Sequence, residues 1–539
     1  MRAFPWLFLL ALAPAVAAER WVYIPANFQV DAEADRVIAL LRRAGAAGYD
    51  HALLSDSKFA RLGTVIEGYF ANVGRVREAA ADLGIALVPA VFPVGYSNDL
   101  LFHDPNLAEG LPVKDALFVV RDGTAHHTPD PPVALAGGTM DERGAWRFVD
   151  DCLVADAGAL RSTAPAGNAR LHQELTVAPF RHYHVSVRIR TRGFGGGAPE
   201  LKALAPDGRS LQWTNLRVGP DDDWATHHVT FNSLGNERIA LYFGVWGGHR
   251  GDLWWDDAAI EECGLVNLLR RPGAPLAVRT EEGTPLAEGR DFEPVTDPLL
   301  GTRPWPGEFT AWHQPPPLRT PRLTDGARLR VSFHHPHIIY DGQVCGCVEE
   351  PAFRALLADQ ARRVATLWHA RAHLMSHDEW RVLGWDPSCL ATRRTPGQIA
   401  AANARFCTGL LRQAVPGGRI LVWSDMFDPH HNAVDNYYLV NGSLAGAWEG
   451  LDPNVVVVNW NFDHRDASLR FFADRGHHQL IAGFYDGPLG HVSRWLESAR
   501  GVPGVDGFIY TTWRGDYSQL EAVAKLLEQP APAPAPGPR

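Results

Sequence analysis

The feature that most constrains this chain is a rhythm that starts, breaks and resumes. From residue 21 to 98, short apolar runs alternate with amphipathic ones: "WVYIP" (21–25), "DAEADRVIALLRRAG", "HALLSD" (51–56), "RVREAAADLG" and "IALVPAVFPVG" (85–95). The second and fourth carry helical apolar spacing; Asp31 is an N-cap candidate for the second and Gly45 its stop. Strands alternating with helices call for parallel pairing with right-handed crossovers. Between about 136 and 263 the helical spacing disappears. Alternating runs such as "YHVSVRIRT" (183–191) and "RIALYFGVW" (238–246), separated by turn clusters such as "RGFGGGAP", predict an antiparallel sandwich. After a Pro/Gly-rich stretch the first rhythm returns, in "HLMSHDE", "RILVWSDMF" (419–427), "NVVVVNWNF" (454–462), "QLIAGFYDG" (479–487) and "GFIYTTWRG" (507–515).

Nine strand candidates are one too many for an eight-stranded barrel, so "LRVSFHHP" or another short run is expected to be an accessory strand. The expected fold class is therefore α/β: a (β/α)8 TIM-type barrel interrupted after its third strand by an antiparallel β-sandwich of jelly-roll type. The expected boundaries are a signal peptide at 1–18, the first barrel part at 19–135, the sandwich at 136–263 and an ordered return segment at 264–328. The second barrel part follows at 329–528, with a Pro/Ala-rich tail at 529–539. A doubly wound open sheet would want a glycine-rich phosphate loop after an early strand, and no such loop is present.

Composition narrows the partners. With 51 basic against 61 acidic residues, neither nucleic acid nor an anionic membrane is the expected partner. The 18 tryptophans offer flat faces suited to the C–H faces of sugars but are also ordinary core material, so composition alone favours neither, and carbohydrate becomes the expected ligand only from the strand ends below. "MRAFPWLFLLALAPAVAAER" has one early positive charge, a short apolar run and small residues at Ala15 and Ala17. It reads as a leader cleaved near Ala17 or Ala18, giving an exported protein without a membrane span. Export makes disulfides possible: Cys152 with Cys263, and Cys345 or Cys347 with Cys389 or Cys407. No ligand spacing points to a metal or other cofactor; "SFHHPH" (332–337) is the nearest approach.

In a (β/α) barrel the reacting groups sit at the C-terminal strand ends. Those ends read His377–Asp378–Glu379 with Arg381 just beyond, Trp423 and Asp425, Trp460 and Asn461, Tyr485 and Asp486, and Tyr510 with Trp513. Acids beside aromatics suit glycoside hydrolysis, where a protonated carboxyl serves the leaving oxygen and a second negative group meets the oxocarbenium-like centre. Neighbouring residues on a strand face opposite ways, so Asp378 and Glu379 can share a pocket only if the strand ends there.

Two resemblances follow from these residues. "LHQELTVAPFRHYHVSVRIRT" with "GDLWWDDAAIEECG" resembles the jelly-roll carbohydrate-binding modules of extracellular polysaccharide enzymes. The Asp-Glu pair, the Trp-acid element of "VWSDMF" and the Tyr-Asp element at 485–486 resemble family 20 β-hexosaminidases and related substrate-assisted glycosidases. That resemblance implies retention, with Asp378 orienting a 2-acetamido group and Glu379 as acid/base. It implies sugar contacts for Trp423, Asp425, Tyr485, Asp486 and Trp513, to which the strand-end reading adds His377, Arg381, Trp460, Asn461 and Tyr510. The chain departs from the pattern in carrying "SHDE" without a glycine pair, and in lacking the terminal Trp–Glu element of the last strand. The alternatives are a retaining enzyme with Asp425 or Asp486 as nucleophile, and a non-catalytic carbohydrate-binding protein on a degenerate barrel.

Overall fold

The computed structural model describes residues 18–340 and 342–528. The expected leader, up to residue 17, and the tail lie outside them. Eight parallel strands close into a barrel: β1 (Glu19–Pro25), β2 (His51–Ser55), β3 (Ala86–Val91), β4 (Ala372–Met375), β5 (Arg419–Trp423), β6 (Val455–Asn459), β7 (Gln479–Ala482) and β8 (Val505–Tyr510). β8 pairs back onto β1 in register Trp21 with Ile509, which completes the ring. Strand alternation sorts the side chains. Tyr23, Leu421, Trp423, Val458 and Leu480 fill the interior, whereas Val22, Val422 and Val457 face the helices.

Helices follow most barrel strands, beginning with Asp31–Ala46 after β1. There Val30, not Asp31, holds the cap position; Asp31 sits in the first turn and accepts a bond from Asn72 Nδ2 at 2.8 Å. The β5–β6 connection carries no α-helix. Its 3-10 turns, Asp425–Phe427 and Ala447–Gly450, leave a long loop free to build the barrel mouth.

Two antiparallel five-stranded sheets occupy residues 148–262, between β3 and β4 in the chain. His182–Gly195 and Arg250–Glu262 are central in one, and Arg238–Val245 in the other. A further six-stranded antiparallel sheet departs from the sequence expectation. It joins Leu111–Arg121 and Thr124–His127, assigned above to the first barrel part, to Arg328–His335, assigned to the second. The apolar faces of these strands bury one another around Phe118, Val331 and Phe333, outside the barrel. This placement of Arg328–His335 removes the ninth barrel strand. Among the described residues no helix is long and apolar enough to cross a membrane.

The expected Cys152–Cys263 staple is not formed; both thiols are free. Strand pairing explains this. Val154, beside Cys152, pairs with Arg161 and that residue with Trp254, whereas Cys263 lies just past the far end of Trp254's strand. At ~3.3 Å per residue that is about 30 Å away.

Trp255 is fully buried and meets Phe243 of the opposite sheet edge-on at 6.1 Å. Trp255→Ala should cost the sandwich about 3–5 kcal/mol, read as a lowered midpoint of its unfolding transition in denaturant.

Candidate active site at the barrel mouth

β4 ends at Met375, and the next four residues make the centre of the site. Ser376 N–H and His377 N–H still bond to the Val91 and Phe92 carbonyls. Then His377 (φ 48°) and Glu379 (φ 44°) enter the left-handed region on either side of Asp378. Such backbone costs on the order of 1–3 kcal/mol per non-glycine residue and marks a site where surrounding contacts enforce it. Its effect is to cancel strand alternation, so that Asp378 and Glu379 line one cavity.

The enforcing contacts are specific. Glu379 N–H donates to Asp425 Oδ2 at 2.8 Å, and its carbonyl accepts from Gln343 Nε2 at 2.7 Å. Asp425 also accepts from Asn432 Nδ2 at 3.0 Å and Trp460 Nε1 at 3.3 Å. Gly95 packs so tightly that a Cβ there would lie 2.0 Å from the Asp378 carbonyl oxygen.

The two carboxyls live in different surroundings. Glu379 is held by Arg381 Nη2 at 2.9 Å and by the Tyr96 hydroxyl. Asp378 keeps a face open to the cavity but has no such cation of its own. Enclosure of its carboxyl, then the charges of Asp425 and Glu379, push it up to about 8. Burial likewise lifts Asp425 to about 7.

The cavity, about 550 Å³, is within the usual size range for a small-molecule site. One wall is aromatic. Trp460 stacks on Tyr485 with 5.5 Å between centroids, and Tyr485 and Trp423 meet Trp513 at 5.9 and 6.3 Å. Tyr485 and Trp513 are 44% and 47% exposed, unusual for large rings and consistent with a face kept open for a ligand. Asp486 fixes this wall by accepting from Trp513 N–H (2.7 Å), Arg514 N–H (3.2 Å) and the Thr512 hydroxyl.

Of the residues expected from sequence, Asp378, Glu379, Trp423, Trp460, Tyr485, Asp486 and Trp513 line the cavity. Five others do not. His377 is buried, bonded to Asn403 Oδ1 at 2.9 Å and held neutral by burial, which lowers it to about 4. Arg381 stands behind Glu379, over the Tyr340 and Tyr438 rings. Asp425 is fully buried beneath the strand end, which removes it as a direct nucleophile. Asn461 ties the His430 carbonyl at 2.9 Å, and Tyr510 bonds the Asp516 carbonyl at 2.7 Å. These five are held by protein contacts and do not line the cavity, although His377 Nδ1 and Arg381 Nε have no partner.

Sequence reading missed Tyr23, Tyr96, Tyr340 and Arg514 in the lining. Tyr96 follows the third apolar run and obeys the strand-end rule, so it was findable. Tyr340 was not. It arrives on the path back from the sandwich, where its N–H bonds the Trp213 carbonyl at 2.8 Å and Gln212 Nε2 bonds the Ile338 carbonyl at 2.8 Å. Trp213 and Gln212 belong to the sandwich strand Ser210–Asn215, so that domain holds one wall of the cavity.

No family model and no curated protein matches the chain. Among solved structures, a chitobiase from Flavobacterium johnsoniae aligns over 96% of this chain and 48% of its own, at 9% identity and a TM-score of 0.40. The N-acetyl-beta-hexosaminidase of Streptomyces plicatus aligns over 96% of this chain and 65% of its own, at 12% identity and 0.36. A carbohydrate-binding module of Cellvibrio mixtus lichenase 5A aligns over 24% of this chain and 96% of its own, at 13% and 0.18. The chain thus spans less than two thirds of either enzyme, and with TM-scores below 0.5 the functional reading rests on the site itself.

Gly95→Ala should displace the Asp378–Glu379 backbone. Overpacking of this kind costs about 1–3 kcal/mol, so the expected result is a lowered Tm together with a changed emission from the tryptophans of the cavity wall.

Proposed function

We propose that this chain is an exported glycoside hydrolase that cleaves with retention at the mouth of the barrel. The observation that carries the reading is one cavity with two adjacent carboxyls in opposed environments, walled by Trp460, Tyr485 and Trp513. Environments that separate the proton affinities of two acids are how one site supplies both an acid and a carboxylate at neutral pH. Asp378, pushed up to about 8, keeps its proton there and serves the leaving oxygen. Glu379, facing Arg381, is the carboxylate that meets the positive charge developing on the sugar ring. The stacked rings hold the sugar's apolar face, and Tyr96 and Tyr340 complete the lining.

A second reading keeps the roles implied by the family resemblance: Glu379 as acid/base, with Asp378 orienting a 2-acetamido group that attacks the anomeric carbon. The Glu379 side chain is 27% exposed, which leaves it open to a leaving group approaching from solvent.

Leaving-group dependence separates the two readings. General-acid loss costs about 10²–10⁴-fold on a poor leaving group and little on a dinitrophenyl glycoside. The first reading expects this pattern for Asp378→Asn, with wild-type kcat falling as pH rises through about 8 because the acid form is then lost. If Glu379→Gln shows the pattern instead, and a thiazoline inhibits, the second reading holds. Sugar binding without turnover of any aryl glycoside would leave a non-catalytic binding protein. Proton NMR of the first-formed anomer checks retention.

A further inference from the structure

Away from the mouth, four buried side chains converge from three segments: Glu109, Cys347, and the pair Asp386 and Cys389. Glu109 precedes the strand Leu111–Arg121, and Cys347 precedes the helix Pro351–Trp368. Asp386 caps the short helix Pro387–Ala391, which contains Cys389, in the connection after β4 that Asp378 and Glu379 open. One ligand atom from each lies within 4.8 Å of all the others.

The spacings have a particular form. The two sulfurs are 3.9 Å apart, Cys389 Sγ lies 3.3 Å from Glu109 Oε2, and Cys347 Sγ lies 3.5 Å from Asp386 Oδ1. For tetrahedral zinc with ordinary Zn–S and Zn–O bonds, the edges are about 3.8 Å between thiolates and about 3.5 Å between thiolate and carboxylate oxygen. A disulfide would need the sulfurs at about 2.05 Å, and the two thiols are free. Each carboxylate is also oriented from outside. Glu109 Oε1 accepts from Trp385 N–H at 2.8 Å and Asp386 N–H at 3.4 Å. Asp386 Oδ2 accepts from Arg271 Nη2 at 2.7 Å and Gly110 N–H at 3.4 Å. Cys389 N–H additionally bonds Asp386 Oδ1 at 3.0 Å. Glu109 Oε2, Asp386 Oδ1 and both sulfurs are thereby aimed at a common centre, the outer-shell arrangement that metal ligands use.

We propose that Glu109, Cys347, Asp386 and Cys389 form a structural site for a divalent cation of zinc type. Two thiolates with two carboxylates in a closed tetrahedron favour that ion over calcium or magnesium, which take oxygen ligands in larger number. On binding, the two S–H bonds break, two S–Zn and two O–Zn bonds form, and the thiol protons, with the proton that burial keeps on Glu109, leave to solvent. The ligands then carry four negative charges and the ion two positive ones; Arg271, shared between Asp386 and Glu350, offsets part of the remainder. With no open position, the ion does no chemistry. It ties the segments flanking the antiparallel sheets to the loop that follows the catalytic strand.

The test is independent of any hydrolase activity. Chain purified under reductant and loaded with zinc chloride should retain one equivalent through gel filtration, by elemental analysis. Its cobalt-loaded form should show tetrahedral d–d bands and thiolate-to-cobalt charge transfer. Cys389→Ser should lose both signals, while Cys407→Ser, a buried thiol outside the cluster, keeps them. If Cys389→Ser fails to fold, the wild-type cobalt spectrum decides. A wild-type chain that stays metal-free after loading, or binds cobalt without thiolate charge transfer, overturns the site. So does a Cys347–Cys389 disulfide recovered from freshly purified protein.

Discussion

The mouth of the barrel depends on one buried acid. Asp425 is out of reach of the cavity, yet its carboxylate accepts from the Glu379 backbone, from Asn432 and from Trp460. Hydrogen bonds to a charged group are worth about 1.5–3 kcal/mol each. That is the scale of the strain at His377 and Glu379, so three such bonds can hold a strand end in a backbone it would otherwise avoid. The same residue ties three strand ends together: its own after β5, that of β4 through Glu379, and that of β6 through Trp460. Asp425 is also one of the charges that lift Asp378, so the support that shapes the site tunes it too.

Electrostatic division of labour then follows from what stands beside each carboxyl. Arg381 is 3% exposed and packs over tyrosine rings, a placement that fixes its guanidinium against Glu379 rather than letting it range through the cavity. Asp378, one residue earlier, faces anionic neighbours and ring edges. A difference of one residue becomes a difference of surroundings because the backbone turns between them.

The domains outside the barrel take part in the site. Tyr340 reaches the cavity on the path back from the sandwich and is held there by backbone contacts with Trp213, whose ring also meets it edge-on at 5.4 Å. The sandwich therefore braces a wall of the cavity, though none of its own residues lines it. The six-stranded sheet, with its own core around Phe118 and Phe333, is what the segments on either side of the sandwich are mounted on.

Local sequence determined a good deal. Period-2 and period-3.6 patterns are local properties, so the barrel strands and the antiparallel region were readable from the residues themselves. The strand-end rule placed Asp378, Glu379, Trp423, Trp460, Tyr485, Asp486 and Trp513 at one rim, because chain direction in a parallel barrel fixes which end each occupies. Whether a strand-end side chain faces ligand or protein was not readable. His377, Arg381, Asp425 and Asn461 are pulled inward by partners well separated in the chain, such as Asn403 and His430, and Tyr510 by the turn at Asp516, and pattern carries no information about such partners. The six-stranded sheet was missed for the same reason: its central strands, Leu111–Arg121 and Arg328–His335, are separated by more than two hundred residues. Only the tertiary structure could bring Tyr340 to the cavity and gather Glu109, Cys347, Asp386 and Cys389 around one point, since both depend on where long connections return.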